Sequence, residues 1–171
     1  MRILGIDPGS RVTGFAVVDA GGRHLRACAY GVIRPAAEEI GARLAEIFEG
    51  VGQVISELQP QVLAIESAFM SRNAQSALKL GQARGVAICA AARAGLPVFE
   101  YAPRAVKLAV VGSGHADKIQ VQHMMRQILK IDAALAADAA DALAIAVCHA
   151  HTQHTLGYAG RRLAASGETR R

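Results

Sequence analysis

Apolar residues are spaced along this chain with two different periods. Short unbroken apolar runs, each closed by Gly, Pro or a charged residue, predict strands over residues 2–7 (RILGID), 12–19 (VTGFAVVD), 23–34, 61–66 (QVLAIE) and 97–102 (PVFEYA). Ala20-Gly21-Gly22 is a hairpin turn, so the second and third strands pair antiparallel. Elsewhere the apolar positions follow the helical period. Ile40, Leu44, Ile47, Val51, Val54, Ile55 and Leu58 place a helix over 36–58, with Gly50 and Gly52 expected to kink its middle. Further helices are predicted over 73–94, 103–110, 117–130 and 138–150, and 111–116 (VGSGHA) is a loop.

The order β-β-β-α-β-α-β-α-α-α gives an α/β fold. Its expected form is a five-stranded mixed sheet, antiparallel on one side and parallel where helices intervene, with helices on both faces. No internal repeat or linker divides it. Residues 1–154 read as one domain and 155–171 as a basic, mobile tail poor in apolar residues.

The stretch 134–146 (ALAADAADALAIA) is Ala, Leu and Ile apart from Asp138 and Asp141. Residues three apart share a helix face, so these like charges repel. Two other acids end apolar strands, Asp7 and Glu66. Ligands of α/β sheets gather beyond the carboxyl ends of strands. If the last helix packs against that edge, four acids line one site. Repulsion raises their pKa values, and a divalent cation reverses that effect. Oxygen-only ligands suit Mg²⁺ or Mn²⁺. Two such ions, ~3.5–4 Å apart, hold the attacking and leaving oxygens of a phosphodiester in line. Each acid taken singly also has a structural explanation: Asp138 as an N-cap, Asp141 as a favourable acid in the first helical turn, Asp7 as a turn former before Pro8-Gly9, Glu66 as a cap of the next segment.

Charge adds little. The 171 residues carry a net charge of +5. Arg161, Arg162, Arg170 and Arg171 against Glu168 supply +3 of it, leaving 15 basic and 13 acidic residues in 1–160. The three cysteines are far apart and form no C-x-x-C pair, which argues against a disulfide framework or zinc knuckle. With no signal peptide and no membrane-length apolar run, the expected location is cytoplasmic.

Four segments, GIDPGSRVTGFAVVD (5–19), AIESAFMSRNAQSALKLGQARG (64–85), PRAVKLAVVGSGHADKIQVQHM (103–124) and DAADALAIAVCH (138–149), closely resemble the RuvC family of bacterial Holliday junction endodeoxyribonucleases. The resemblance runs in order over about residues 1–150. It implies a ribonuclease H-like fold and a homodimer acting on four-way DNA junctions with Mg²⁺. It implies symmetric nicking of two strands of like polarity at a T-rich sequence, and work alongside RuvA and RuvB. The family's acids fall on Asp7, Glu66, Asp138 and Asp141, and its lysines important for cleavage on Lys107 and Lys118.

Lys107 and Lys118 flank the Gly-rich loop, where a lysine can stabilise charge on a phosphate. Phe69 is expected, mostly from the resemblance, to stack on an unpaired base. Arg72, Gln75, Ser76, Lys79 and Gln82 form a polar stripe beside it, and with Asn73 make a candidate phosphate track. Ala77, Gly81 and Gly85 form a separate stripe of small residues. It serves either packing inside the subunit or an isologous contact with a second copy. His149, His151 and His154 are set aside as metal ligands, because they lie at or beyond the expected end of the last helix.

Three rival readings fit the sequence less well. An actin-like or sugar-kinase ATPase also begins with a loop like GIDPGS, but needs a second domain. A non-catalytic DNA-binding module has no use for converging acids. The smaller RuvC-like YqgF family lacks the long matches at 64–85 and 103–124.

Overall fold

A computed structural model describes residues 1–22, 24–67 and 73–167, with side chains as far as 155. One five-stranded sheet has the order β3-β2-β1-β4-β5. Its strands are β1 (Arg2–Asp7), β2 (Thr13–Gly21), β3 (His24–Ile33), β4 (Val62–Glu66) and β5 (Val98–Tyr101). β1, β2 and β3 pair antiparallel, and β4 runs parallel to both β1 and β5. The mixed sheet expected from the strand order is the one observed.

Both faces of the sheet are covered, which is why its central strands are apolar throughout. Leu4, Ile6, Val17, Leu63 and Ile65 pack on α1 (Ile40–Leu58) and α2 (Ala74–Arg93). Ile3, Ala16, Val18 and Ala64 face α3 (Pro103–Val111), α4 (Lys118–Leu129) and α5 (Ala137–Gly167). Successive strand residues alternate between faces. Ile6 and Ile65 belong to the first face, so Asp7 and Glu66, one residue further on, belong to the face that α5 covers.

The contact between α5 and the sheet is unusually close, and glycine makes it so. A Cβ on Gly5 would lie 2.2 Å from the Ala142 carbonyl oxygen, and one on Gly14 would lie 2.1 Å from that of Asp138. Gly14 is the register partner of Asp7. The alanines of α5 complete the fit, with Ala139, Ala140, Ala142, Ala144 and Ala146 all buried.

Several boundaries differ from the sequence reading. α1 starts at Ile40 rather than 36, because the preceding segment is bound to the side of the helix. The Ala36 and Ala37 N–H groups donate to the Glu46 carboxylate, and Arg43 donates to the Ala37 and Glu38 carbonyls. α1 is one continuous helix of 19 residues. Gly50 is there for space rather than a kink, since a Cβ would come within 2.9 Å of Ile33. The last helix starts one residue before Asp138, so Asp138 sits in its first turn and is not the N-cap. That helix also passes 150 and runs to Gly167, overrunning most of the segment expected to be a mobile tail. Residues 168–171, with Arg170 and Arg171, lie outside the described residues. No helix among the described residues is long and apolar enough to cross a membrane.

Gly5→Ala should lower thermal stability by about 1–3 kcal/mol, the usual cost of overpacking a core. Gly52→Ala, where a Cβ meets open space, should be neutral or raise it by up to ~1 kcal/mol. Calorimetric melting of the two variants checks the contrast.

Candidate active site

Asp7 and Glu66 end adjacent parallel strands, one residue beyond the Ile6–Ile65 pair. Asp141 approaches from the first turns of α5. All three line one cavity of about 290 Å³, together with Lys107 and Lys118. The rest of its wall is apolar: Pro103 and Val106 from α3, Val121 from α4, Ala144 and Ile145 from α5. Asp138 does not line this cavity. It sits beside Gly14 in the first turn of α5, and its charge is felt by both Asp7 and Asp141.

The lysines are placed by the ends of two helices. α3 opens on Pro103, whose missing N–H costs nothing in a first turn, and carries Lys107 one turn later. α4 is capped by a reciprocal pair. The Asp117 carboxylate accepts from the Gln120 N–H, and the Gln120 side chain accepts from the Asp117 N–H. Lys118 follows directly, with Nζ 3.5 Å from Asp141 Oδ2.

Burial dominates the electrostatics. Asp7 is pushed up to about 7, first by burial and then by Asp141, Glu66 and Asp138, with Lys118 opposing. Burial and the Asp141 charge raise Glu66, with both lysines opposing. Asp141 is raised by burial, against the pull of its Lys118 partner. A cluster that resists full ionisation and offers only carboxylate oxygens suits a hard divalent cation. Among the described residues, no three of these side chains form a ready-made cation site as they stand.

The other sequence candidates divide. Phe69 and Arg72 lie outside the described residues. Asn73 caps α2, its Oδ1 accepting from the Gln75 and Ser76 N–H groups. Gln75, Ser76 and Lys79 are exposed on the first turns of α2. A Cβ on Gly81 or Gly85 would meet nothing within 4 Å, so the two glycines of the small-residue stripe are not required for packing inside the subunit. The histidines lie within α5, not at its end, which removes the dipole argument made for them. His149 is buried with its pKa lowered, its Nδ1 hydrogen-bonded at 2.7 Å to the Tyr101 hydroxyl. His151 Nδ1 lies 3.1 Å from the Ala109 carbonyl.

Sequence reasoning missed Arg84. Its Nε donates to the Glu66 carbonyl at 3.1 Å, and its Nη2 pairs with Glu100. The only available signal was an arginine at the edge of the buried face of α2.

The sheet order, the helices on both faces and the strand-end acids define a ribonuclease H-like domain. Residues 3–149 match the family model described as crossover junction endodeoxyribonuclease RuvC. The crossover junction endodeoxyribonucleases RuvC of Vibrio parahaemolyticus and Photobacterium profundum are 58% and 59% identical over 154 residues, covering 90% of this chain and 89% of theirs. Among solved structures, T. thermophilus RuvC in complex with Holliday junction substrate superposes with a TM-score of 0.84. It is 37% identical, over 91% of this chain and 96% of that one. The yeast mitochondrial Holliday junction resolvase Ydc2 shares the fold, with a TM-score of 0.63 at 12% identity over 92% of this chain and 82% of that one. The chain belongs to the RuvC family.

The raised pKa of Asp7 has a definite sign for stability. Without metal, the folded state keeps a proton up to about pH 7 that the unfolded chain releases near pH 4. Stability therefore falls as pH rises through that window and stays lower above it. In EDTA, Asp7→Asn should raise the melting temperature at pH 8 and leave it almost unchanged at pH 4. A large destabilisation at pH 8 would contradict this account.

Proposed function

We propose that this chain is a structure-selective endonuclease that resolves Holliday junctions by hydrolysing two phosphodiester bonds, one in each of two strands of like polarity. The observation that carries the reading is the meeting of Asp7, Glu66 and Asp141 in one cavity flanked by Lys107 and Lys118, in a chain of this family. Asp7, Glu66, Asp138 and Asp141 are the residues that would hold divalent cations, two Mg²⁺ ions or Mn²⁺ in their place. When bound, these ions supply an activated water and neutralise the leaving oxygen. Lys118, exposed and only loosely paired with Asp141, is free to turn to a phosphate oxygen, and Lys107 faces the same cavity. Both supply positive charge where negative charge develops.

Junction DNA would lie across this edge of the sheet. Gln75, Ser76 and Lys79 are available to phosphates at the start of α2, and Phe69 and Arg72 fall in the segment leading to it. Asn73 contributes by fixing the helix start. Residues 1–154 form the nuclease domain. Arg161, Arg162, Arg170 and Arg171 in 155–171 add attraction to DNA that does not depend on sequence. The open face of α2, where Leu78 is 69% exposed beside Gly81 and Gly85, is the surface for a second copy. A two-fold dimer presents two identical sites, as paired symmetric nicks require. RuvA and RuvB are the partners that fit this activity, which belongs in the cytoplasm with the chromosome.

On a synthetic four-way junction with end-labelled strands, paired symmetric nicks should form with Mg²⁺ and not with EDTA. Asp7→Asn should bind the junction and leave it uncut. Binding without cutting by the native chain in Mg²⁺ would leave only a DNA-structure binder, and the proposal would fail. At micromolar concentration the native chain should sediment as a dimer and Gly81→Arg as a folded monomer; a monomeric native chain would remove the dimer.

A further inference from the structure

Glu66 stands where the sheet ends. β1 pairs with β4 only as far as Ile65, and β5 only as far as Glu66 itself. A residue at such a position is held by one neighbouring strand and tends to fray. The peptide linking residues 66 and 67 is nevertheless held at both ends. The Ser67 N–H donates to the Tyr101 carbonyl at 2.9 Å, and the Glu66 carbonyl accepts from Arg84 Nε at 3.1 Å. The second bond comes from outside the sheet, from the middle of α2. The same guanidinium pairs through Nη2 with the Glu100 carboxylate on β5. One planar group thus joins the last residue of β4 to the neighbouring strand and to the helix above both.

We infer that Arg84 is a positioning residue for Glu66, anchoring the backbone that carries its carboxylate and making the seating of α2 part of the geometry of the site. The inference rests on the reading of Glu66 as an acid that holds metal. Three features give Arg84 this role. Its side chain is only 18% exposed, so its bonds are shielded from water. Its bond to Glu66 is charge-assisted and directed at main chain, next to the carboxylate but leaving it unoccupied. Its fork of donors reaches a carbonyl and a carboxylate at once, which a lysine ammonium cannot do with the same fixed geometry. The Glu100 partner is 53% exposed, so the ion pair orients Arg84 more than it stabilises the fold. Gly85, the next residue, is on the open face proposed to meet a second copy.

The test compares native protein, Arg84→Ala, Arg84→Lys and Glu66→Gln. Three readouts are junction affinity in EDTA, single-turnover cleavage against Mg²⁺ concentration, and amide hydrogen exchange without metal. Arg84→Ala should bind the junction as tightly as the native chain. It should cleave on the order of 10–100-fold more slowly, the scale on which small misplacements of reacting groups are felt. It should need more Mg²⁺ for half-maximal rate. The Ser67 amide should exchange faster while the β1 amides keep native protection, and Arg84→Lys should recover part of the rate. Native cleavage, Mg²⁺ dependence and Ser67 protection in Arg84→Ala would overturn the inference. So would a rate loss matched by equal loss of junction affinity, or by faster exchange throughout the chain. Glu66→Gln separates the two levels. If it cleaves normally, the role given to Glu66 falls. If it is inactive while Arg84→Ala is native in all three readouts, only the role of Arg84 falls.

Discussion

Every distance in the acidic site depends on how closely α5 lies on β1 and β2. Two of the four acids come from the sheet and two from this helix, and this contact brings the pairs together. Ordinary helix-on-sheet packing would interpose a layer of side chains. Here a glycine on each strand lets helix main chain rest on strand main chain, at Gly5 against Ala142 and at Gly14 against Asp138. The alanine-rich composition of α5 follows from the same demand, since larger side chains on its inner face would lift it away.

This closeness concentrates negative charge where water is scarce, and the structure offsets it in part. Asp138 and Asp141 occupy the first turns of α5, where the positive end of the helix favours acids. Lys118 stands against Asp141, and both lysines oppose the rise in the Glu66 pKa. The offset is incomplete, and Asp7 remains near neutrality in its titration. A cation entering a site poised in this way would displace its protons, which would couple metal uptake to pH. The apolar wall of Val106, Val121 and Ile145 sharpens the effect by excluding water on one side.

Much of this could be read from the sequence because it rests on local pattern. Strand runs, turn residues and the period of α1 gave the order of elements, and the apolar runs placed Asp7 and Glu66 at strand ends. The four acids stood out because each follows or interrupts an apolar run. What could not be read depends on contacts between distant segments. Nothing near Gly5 or Gly14 tells that α5 will cover them. Arg84 looks like any helix arginine until α2 is laid beside β4. Residues 36–39 are helical by pattern, yet Glu46 and Arg43 bind them in another form. His149 would pass for a surface histidine, but it is buried against Phe99 and hydrogen-bonded to Tyr101.

The contact of Gly5 with Ala142 and Ala146 also bears on how such a sequence can drift. The two sides occupy one volume, and neither can grow unless the other shrinks. Gly5 is already the smallest residue, so any gain in size on β1 must be matched by movement of helix main chain, which no side-chain exchange supplies. Substitutions here are therefore strongly non-additive. On the solvent side of α1, by contrast, where a Cβ added at Gly52 meets nothing, a new side chain alters no distance between the acids.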